Sequence, residues 1–227
     1  MWSCALGSMD LDPGVWGNKS SLLGIASALP GIAVPPAWCI LPDSIRPAGR
    51  KQLKESIDSW LKLYRPQTVI VRSSEHGEDS LDDSRAGLSI TITDCAPDAV
   101  FLVDTVYRMT SKALASVMVQ AQVSGQWSGV AMGVGNRFTF EAARAPRAVT
   151  DGRTVEVRGD VSGESTRCQG ASAVEFPTTD VCNALEYSLS RLDDALGLDR
   201  DLDIEWVWSD GALYLVQVRP VTRRLWI

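Results

Sequence analysis

The chain has 227 residues, 45% of them hydrophobic and 22% charged, a balance expected of a soluble globular protein with one large domain or two small lobes. Its net charge of −6 offers no basic excess to neutralise phosphates along a groove, so nucleic acid is not an expected partner. No apolar run approaches the roughly 18 residues that span a bilayer, so no membrane partner is expected.

Residues 1–15 read as an irregular lead-in. They lack a basic segment followed by a long apolar core, so a signal peptide is not expected and a cytoplasmic location is. Residues 16–29, WGNKSSLLGIASAL, read as a polar loop feeding a short amphipathic helix that Pro30-Gly31 stops. Val34-Pro35-Pro36 leads into an apolar strand from Trp38 to Leu41. Leu53, Ile57, Trp60, Leu61 and Tyr64 then recur at helical spacing within 47–64.

Thr68 to Val71 is a β-branched strand that runs into Arg72-Ser73-Ser74, and an acidic, Ser-rich loop follows over 75–86. Leu88 to Thr93 alternates as a strand does, and 97–115 carries Val103, Tyr107 and Leu114 as a helical stripe. From 117 the pattern turns to short strands, at 117–123, 129–134, 138–142 and 155–158, divided by Gly-rich turns. Val181, Leu185, Leu189, Leu192 and Leu196 form one helix stripe, begun by Thr178 or Thr179 and ended by Gly197. A closing hairpin, DIEWVW–SDG–ALYLVQVRP, completes an α+β pattern. Two lobes are expected, 1–116 rich in helix and 117–227 rich in antiparallel strand.

The five cysteines, Cys4, Cys39, Cys95, Cys168 and Cys182, show no CxxC spacing and predict reduced, mostly buried thiols. His76 is the only histidine, which excludes any mechanism that needs a His pair within the chain.

The closing hairpin holds the most chemistry. Taken as a three-residue loop, Ser209-Asp210-Gly211 pairs Trp208 with Ala212 and Glu205 with Leu215. Gln217 is then the diagonal neighbour of Glu205, and Arg219 lies on the same side. A carboxylate, an amide oxygen and a guanidinium would project from one face, suited to Mg²⁺ and to charge on a transferring phosphoryl group. A two-residue turn would shift the register by one and part Glu205 from Gln217. The plainer alternative is a surface ion pair of Glu205 with Arg219, with Gln217 idle. Three further segments fit an anionic, purine-bearing ligand. Lys19 lies in a loop opening a helix, although the Walker spacing GxxxxGKS/T is absent. Arg72 lies past a buried strand, and Gln120 ends the apolar strand Val117-Met118-Val119-Gln120. Each has a bland counterpart: a solvated lysine, a strand-end arginine, a plain core strand.

These segments occur in the order seen in the ATP-binding domain of phosphoenolpyruvate synthases, pyruvate phosphate dikinases and rifampin phosphotransferases. GNKSSLLGIASALPGIAVPPAWCI resembles that family's lysine loop, helix and "G-I-x-V-P-P-G-F" strand. VRSSEHGEDSLDDSRAGL is similar to "V-R-S-S-A-x-x-E-D" with "F-A-G-Q", VMVQAQVSGQWSGVAM to "V-x-V-Q-x-M-V…S-G-V-x-F", and DIEWVWSDGALYLVQVRPVT to "D-I-E-W-A…L-Y-I-L-Q-A-R-P-V-T". The resemblance covers about residues 13–222. It implies a two-lobed ATP-grasp-like fold with ATP between the lobes and Mg²⁺ as cofactor. Carried over, Lys19, Arg72 and Arg219 would contact phosphates, Gln120 the adenine, Glu141 the ribose or base, and Glu205 with Gln217 the metal. The chain departs from the family in several places. The region from Leu88 to Val117 is compressed, leaving Arg108 as the only nearby candidate for an arginine that the family places there. Ala142-Ala143-Arg144-Ala145-Pro146-Arg147 replaces a Gly-rich loop, and only Arg85-Ala86-Gly87-Leu88 remains of "F-A-G-Q". No phosphohistidine segment of the "T-S-H-A" type occurs, and His76 reads as a loop residue.

The resemblance therefore implies an ATP- and Mg²⁺-dependent phosphotransferase that passes a phosphoryl or pyrophosphoryl group to a histidine on a separate partner protein. Two alternatives stand beside it. One is a kinase acting directly on a small-molecule acceptor, with His76, Glu78 or Asp79 as base. The other is a degenerate nucleotide-binding or scaffold protein.

Overall fold

Apolar residues at two-residue spacing recur in both halves of the chain, and their pairing builds two separate antiparallel sheets. The computed structural model describes residues 3–7, 12–41, 49–74, 90–110, 116–144, 149–150, 152, 154–170, 172–197 and 201–221. His76, Glu78, Asp79, the 85–88 segment and residues 145–147 lie outside them. Two compact units result, Met1–Gly24 with Pro35–Gln122 and Ile25–Val34 with Val123–Ile227. No described helix is long and apolar enough to cross a membrane.

Unit 1 contains β1 (Ser3–Ala5), α1 (Pro13–Trp16), the first part of α2 (Asn18–Ala28), β2 (Ala37–Ile40), α3 (Arg50–Tyr64), β3 (Val69–Ser74), β4 (Thr91–Cys95), α4 (Ala99–Thr110) and β5 (Ser116–Ala121). Its sheet runs β1-β2-β5-β3-β4. One face buries Ile40, Val69, Val71, Val117 and Val119 against Leu53, Ile57 and Trp60 of α3 and Leu102, Val103 and Val106 of α4. Of the helical stripe read from 47–64, Leu53, Ile57 and Trp60 form the core face of α3, Leu61 packs at its edge and Tyr64 is exposed. That helix ends at Arg65 in the left-handed region, with φ 47°, its N–H donating to Leu61 O. Helix α4 is opened by Asp98, whose Oδ1 accepts from Phe101 N at 2.7 Å, one of the orphan donors of a first turn.

Unit 2 holds β6 (Trp127–Val134), β7 (Arg137–Ala143), β8 (Val157–Ser162), β9 (Ser165–Gln169), α5 (Thr178–Leu196), β10 (Leu202–Ser209) and β11 (Ala212–Pro220). Its sheet runs β11-β10-β6-β7-β8-β9. Helix α5 lays Val181, Leu185, Leu189 and Leu192 inward and ends at Gly197, with φ 57°, as the sequence reading required. Its N-cap is Pro177, with no side-chain cap, rather than Thr178 or Thr179. The core-facing residues of the sheet form an aromatic cluster. Phe176 meets Trp127 edge-on at 5.1 Å, stacks on Phe140 at 5.5 Å and tilts over Trp206 at 6.4 Å.

Gly129 makes room for that cluster. A Cβ built there would lie 2.6 Å from Trp206 Cζ2 and 2.0 Å from Glu141 O. Neither the indole nor the neighbouring strand can yield without moving the sheet. Gly129→Ala is expected to lower the unfolding free energy by about 1–3 kcal/mol, read as a lower denaturant midpoint at unchanged slope.

Candidate functional site

The closing hairpin differs from the sequence expectation and still reaches the expected face. Its turn is the two-residue Asp210-Gly211, because Ser209 pairs with Ala212. Both turn residues have positive φ, 50° and 78°, the conformation of the type I′ turn that Asp-Gly favours. That turn alone would place Glu205 opposite Val216. Instead the register shifts between Glu205 and Trp206, with Val216 as the inserted residue of a bulge. Beyond it Glu205 is directly opposite Gln217, and Asp203 is directly opposite Arg219. The pairing is closer than the diagonal one expected.

The rows continue across unit 2. Gln217, Glu205, Val130, Glu141 and Arg158 stand side by side on five adjacent strands, all on the face opposite the aromatic cluster. Arg158 Nε lies 2.9 Å from Glu141 Oε1. Arg219 sets its Nε and Nη2 both at 2.6 Å from Asp203 Oδ2. Arg219 thus pairs with Asp203, not with Glu205 as the plainer reading of the hairpin had it. Asp203 is only 5% exposed, and its other oxygen, Oδ1, is buried without a hydrogen bond. Sequence reasoning missed Asp203 as a site residue, although its i, i+2 spacing from Glu205 already put the two on one face.

Lys19, Arg72 and Gln120 all belong to unit 1. On the sheet face away from α3 and α4, Arg72 pairs with Met118, Ser74 with Ser116, and Gln120 with Ile70 and Ala37. The α1–α2 segment lies on this face. Ser20 N–H donates to Ser74 Oγ at 3.2 Å, Ser20 Oγ and Ser116 Oγ share a hydrogen bond at 3.1 Å, and Ser116 Oγ donates to Trp16 O. Gly17, with φ 77°, separates the two helices and starts α2 just before Lys19. Lys19 is 9% exposed and Arg72 7%, so the solvated-lysine alternative fails. Gln120 is buried, and neither atom of its amide makes a hydrogen bond. A buried amide left in this state costs about 1–3 kcal/mol.

Glu205 and Gln217 make no side-chain hydrogen bond or ion pair among the described residues. Their oxygens are hard donors, directly opposed across the strands. Among the described residues no three His, Cys, Asp or Glu side chains converge as a metal cage. This set therefore fits a Mg²⁺ that takes one or two protein oxygens and completes its octahedron with phosphate and water.

No protein-family model matches the chain, and no curated protein does either. Several solved structures do. The ADP complex of N5-carboxyaminoimidazole ribonucleotide synthetase is similar at a TM-score of 0.50 and 14% identity, over 87% of this chain and 42% of that one. VanG D-Ala:D-Ser ligase from Enterococcus faecalis is similar at 0.50 and 9% identity, over 89% and 53%. D-alanine–D-alanine ligase from Bacillus anthracis complexed with ATP has a TM-score of 0.48 at 12% identity, over 89% and 54%. The chain spans about half the length of the solved structures it matches. The fold is therefore α+β and ATP-grasp-like, with two antiparallel sheets and their helices.

Proposed function

We propose that this chain is an ATP- and Mg²⁺-dependent phosphotransferase domain. The observation that carries the reading is the bulged register that sets Glu205 opposite Gln217 and Asp203 opposite Arg219 on one sheet face. Glu205 and Gln217 hold the metal. Bound there, Mg²⁺ would supply positive charge against the phosphates of the nucleotide. Arg219, held by Asp203, adds charge at the migrating group. Lys19 and Arg72 bind phosphate oxygens. Gln120 offers its amide to the adenine, and Glu141 faces the ribose or base. The ADP held by N5-carboxyaminoimidazole ribonucleotide synthetase agrees with this ligand.

The acceptor is a histidine on a separate partner protein, as the resemblance to the dikinases implies. A second reading, ATP-dependent ligation with a carboxylate acceptor, is favoured by the neighbours named synthetase and ligase. The two share the nucleotide residues and differ in what receives the phosphoryl group.

Calorimetry with ATP and Mg²⁺ is expected to show binding that EDTA weakens. Glu205→Ala and Gln217→Ala should each abolish the magnesium dependence while leaving the circular dichroism spectrum unchanged. Absence of any heat with the wild-type chain sinks the proposal. Product analysis then separates the readings: AMP marks dikinase chemistry, whereas ADP marks a kinase or ligase.

Arg219→Ala should act twice. It lowers turnover by about 100-fold, and by leaving the buried Asp203 carboxylate without its cation it lowers stability by about 1–3 kcal/mol. Urea denaturation checks the second effect, and Asp203→Asn in the same chain should restore part of the stability and none of the turnover.

Gln120→Leu is expected to raise unit 1 stability by about 1–2 kcal/mol, since it removes an amide without partners, and to weaken ATP binding by about 10-fold or more. Thermal unfolding with and without ATP reads both. A Gln120→Leu chain that binds ATP as tightly as wild type removes Gln120 from the site.

A further inference from the structure

We propose that Cys4 and Cys39 form a disulfide across the edge of the unit 1 sheet, with a low-molecular-weight disulfide as oxidant. The two residues are 35 positions apart in sequence, yet β1 and β2 place them directly opposite each other. Leu6 N–H donates to Ala37 O at 2.9 Å, one alternation further along the same register. The Cys4–Cys39 pair is therefore of the hydrogen-bonded type, whose Cα atoms lie about 5.5 Å apart, inside the range that a disulfide spans. Directly opposed residues of antiparallel strands also share a face, so the two thiols project to the same side. No comparable pairing register joins Cys95, Cys168 or Cys182, which lie on β4, β9 and α5.

Access comes from the element itself. β1 is a three-residue edge strand paired, among the described residues, only with β2, the kind of element that opens locally at small cost. Both thiols are buried when it is closed, and burial pushes the Cys39 thiol up to about 12, so the closed sheet protects it. When β1 lifts, the Cys4 thiolate attacks the oxidant RSSR and one RS⁻ leaves. The Cys39 thiolate then attacks the Cys4 sulfur and expels the second RS⁻. Two electrons pass from the cysteine sulfurs to the oxidant, and the two thiol protons end on two molecules of RSH. Cys39 also hydrogen-bonds the Ser20 side chain, so the new bond forms beneath the turn that carries Lys19.

The test starts from fully reduced protein, incubated with glutathione disulfide at pH 8 and quenched with iodoacetamide. Intact mass is expected to fall by two hydrogens relative to the reduced chain, with two fewer alkylatable thiols. A non-reducing peptide map should join Cys4 to Cys39. Oxidation should raise Tm by about 5 °C, and Cys4→Ser should abolish both the link and the shift. A stable glutathione adduct on Cys4 or Cys39, a link between any other two cysteines, or both thiols remaining alkylatable in urea below the unfolding transition overturns the proposal.

Discussion

One inserted residue in the last hairpin determines what unit 2 can do. Asp210-Gly211 closes the turn with two positive φ values, and the strands leave it in a register that would put Val216 opposite Glu205. The bulge at Val216 cancels that offset. Because side chains alternate with a period of two, a shift of one residue exchanges the faces of everything beyond it. Without the bulge, Gln217 and Arg219 would point toward the aromatic core, where an unpaired guanidinium costs several kcal/mol. With it, Leu213 and Leu215 before the bulge and Val218 after it all stay buried. The core and the polar row are therefore satisfied by the same local irregularity.

Unit 1 solves a different problem. Arg72 and Gln120 are buried on one sheet face and Lys19 is buried on α2, an arrangement that desolvation opposes. Ser20, through its N–H and its hydroxyl, joins α2 to the hydroxyls of Ser74 and Ser116 on that face, fixing the helix start close to β3 and β5. They leave the Gln120 amide with neither its donor nor its acceptor used. A core selected for stability alone would hold an aliphatic residue at that position. The proposed nucleotide site accounts for a buried amide held there at a cost in stability.

The sequence carried the long periodic elements well, for reasons that are local. Helix α5 shows an unbroken stripe from Val181 to Leu192 and a Gly197 stop, and α3 shows Leu53, Ile57 and Trp60 at helical spacing. Strands β1 and β9 were not legible. β1 is three residues long, and β9, Ser-Thr-Arg-Cys-Gln, is largely exposed with no apolar alternation. Such strands exist because a neighbour offers free hydrogen-bonding groups, which is a property of the partner and not of the segment. The turn was misread although Asp-Gly is the strongest short hairpin signal, because Ser209 looks like a loop residue. Its Oγ in fact donates to Ser124 O from within the strand. The bulge, and with it the Asp203–Arg219 pair, could not be seen at all, since nothing in Leu-Val-Gln-Val-Arg distinguishes a bulged strand from a regular one.

The same limit explains why the candidate residues were found while their partners were not. Motif order picks out side chains by type and spacing along the chain, so Glu205, Gln217 and Arg219 stood out together. Pairing across strands is settled by non-local register, and every relation that gives those residues chemical meaning is of that kind. Asp203 fixes the Arg219 guanidinium, Glu141 is engaged by Arg158, and Cys4 meets Cys39. An arginine with two nitrogens held on one carboxylate oxygen loses less rotational freedom when an anion arrives than one swinging in solvent. That preorganisation costs unit 2 a buried carboxylate oxygen without a hydrogen bond, Asp203 Oδ1. The orphan oxygen beside Arg219 and the orphan amide of Gln120 fit one rule under the proposed function: each unit gives up stability at the residues assigned to the nucleotide.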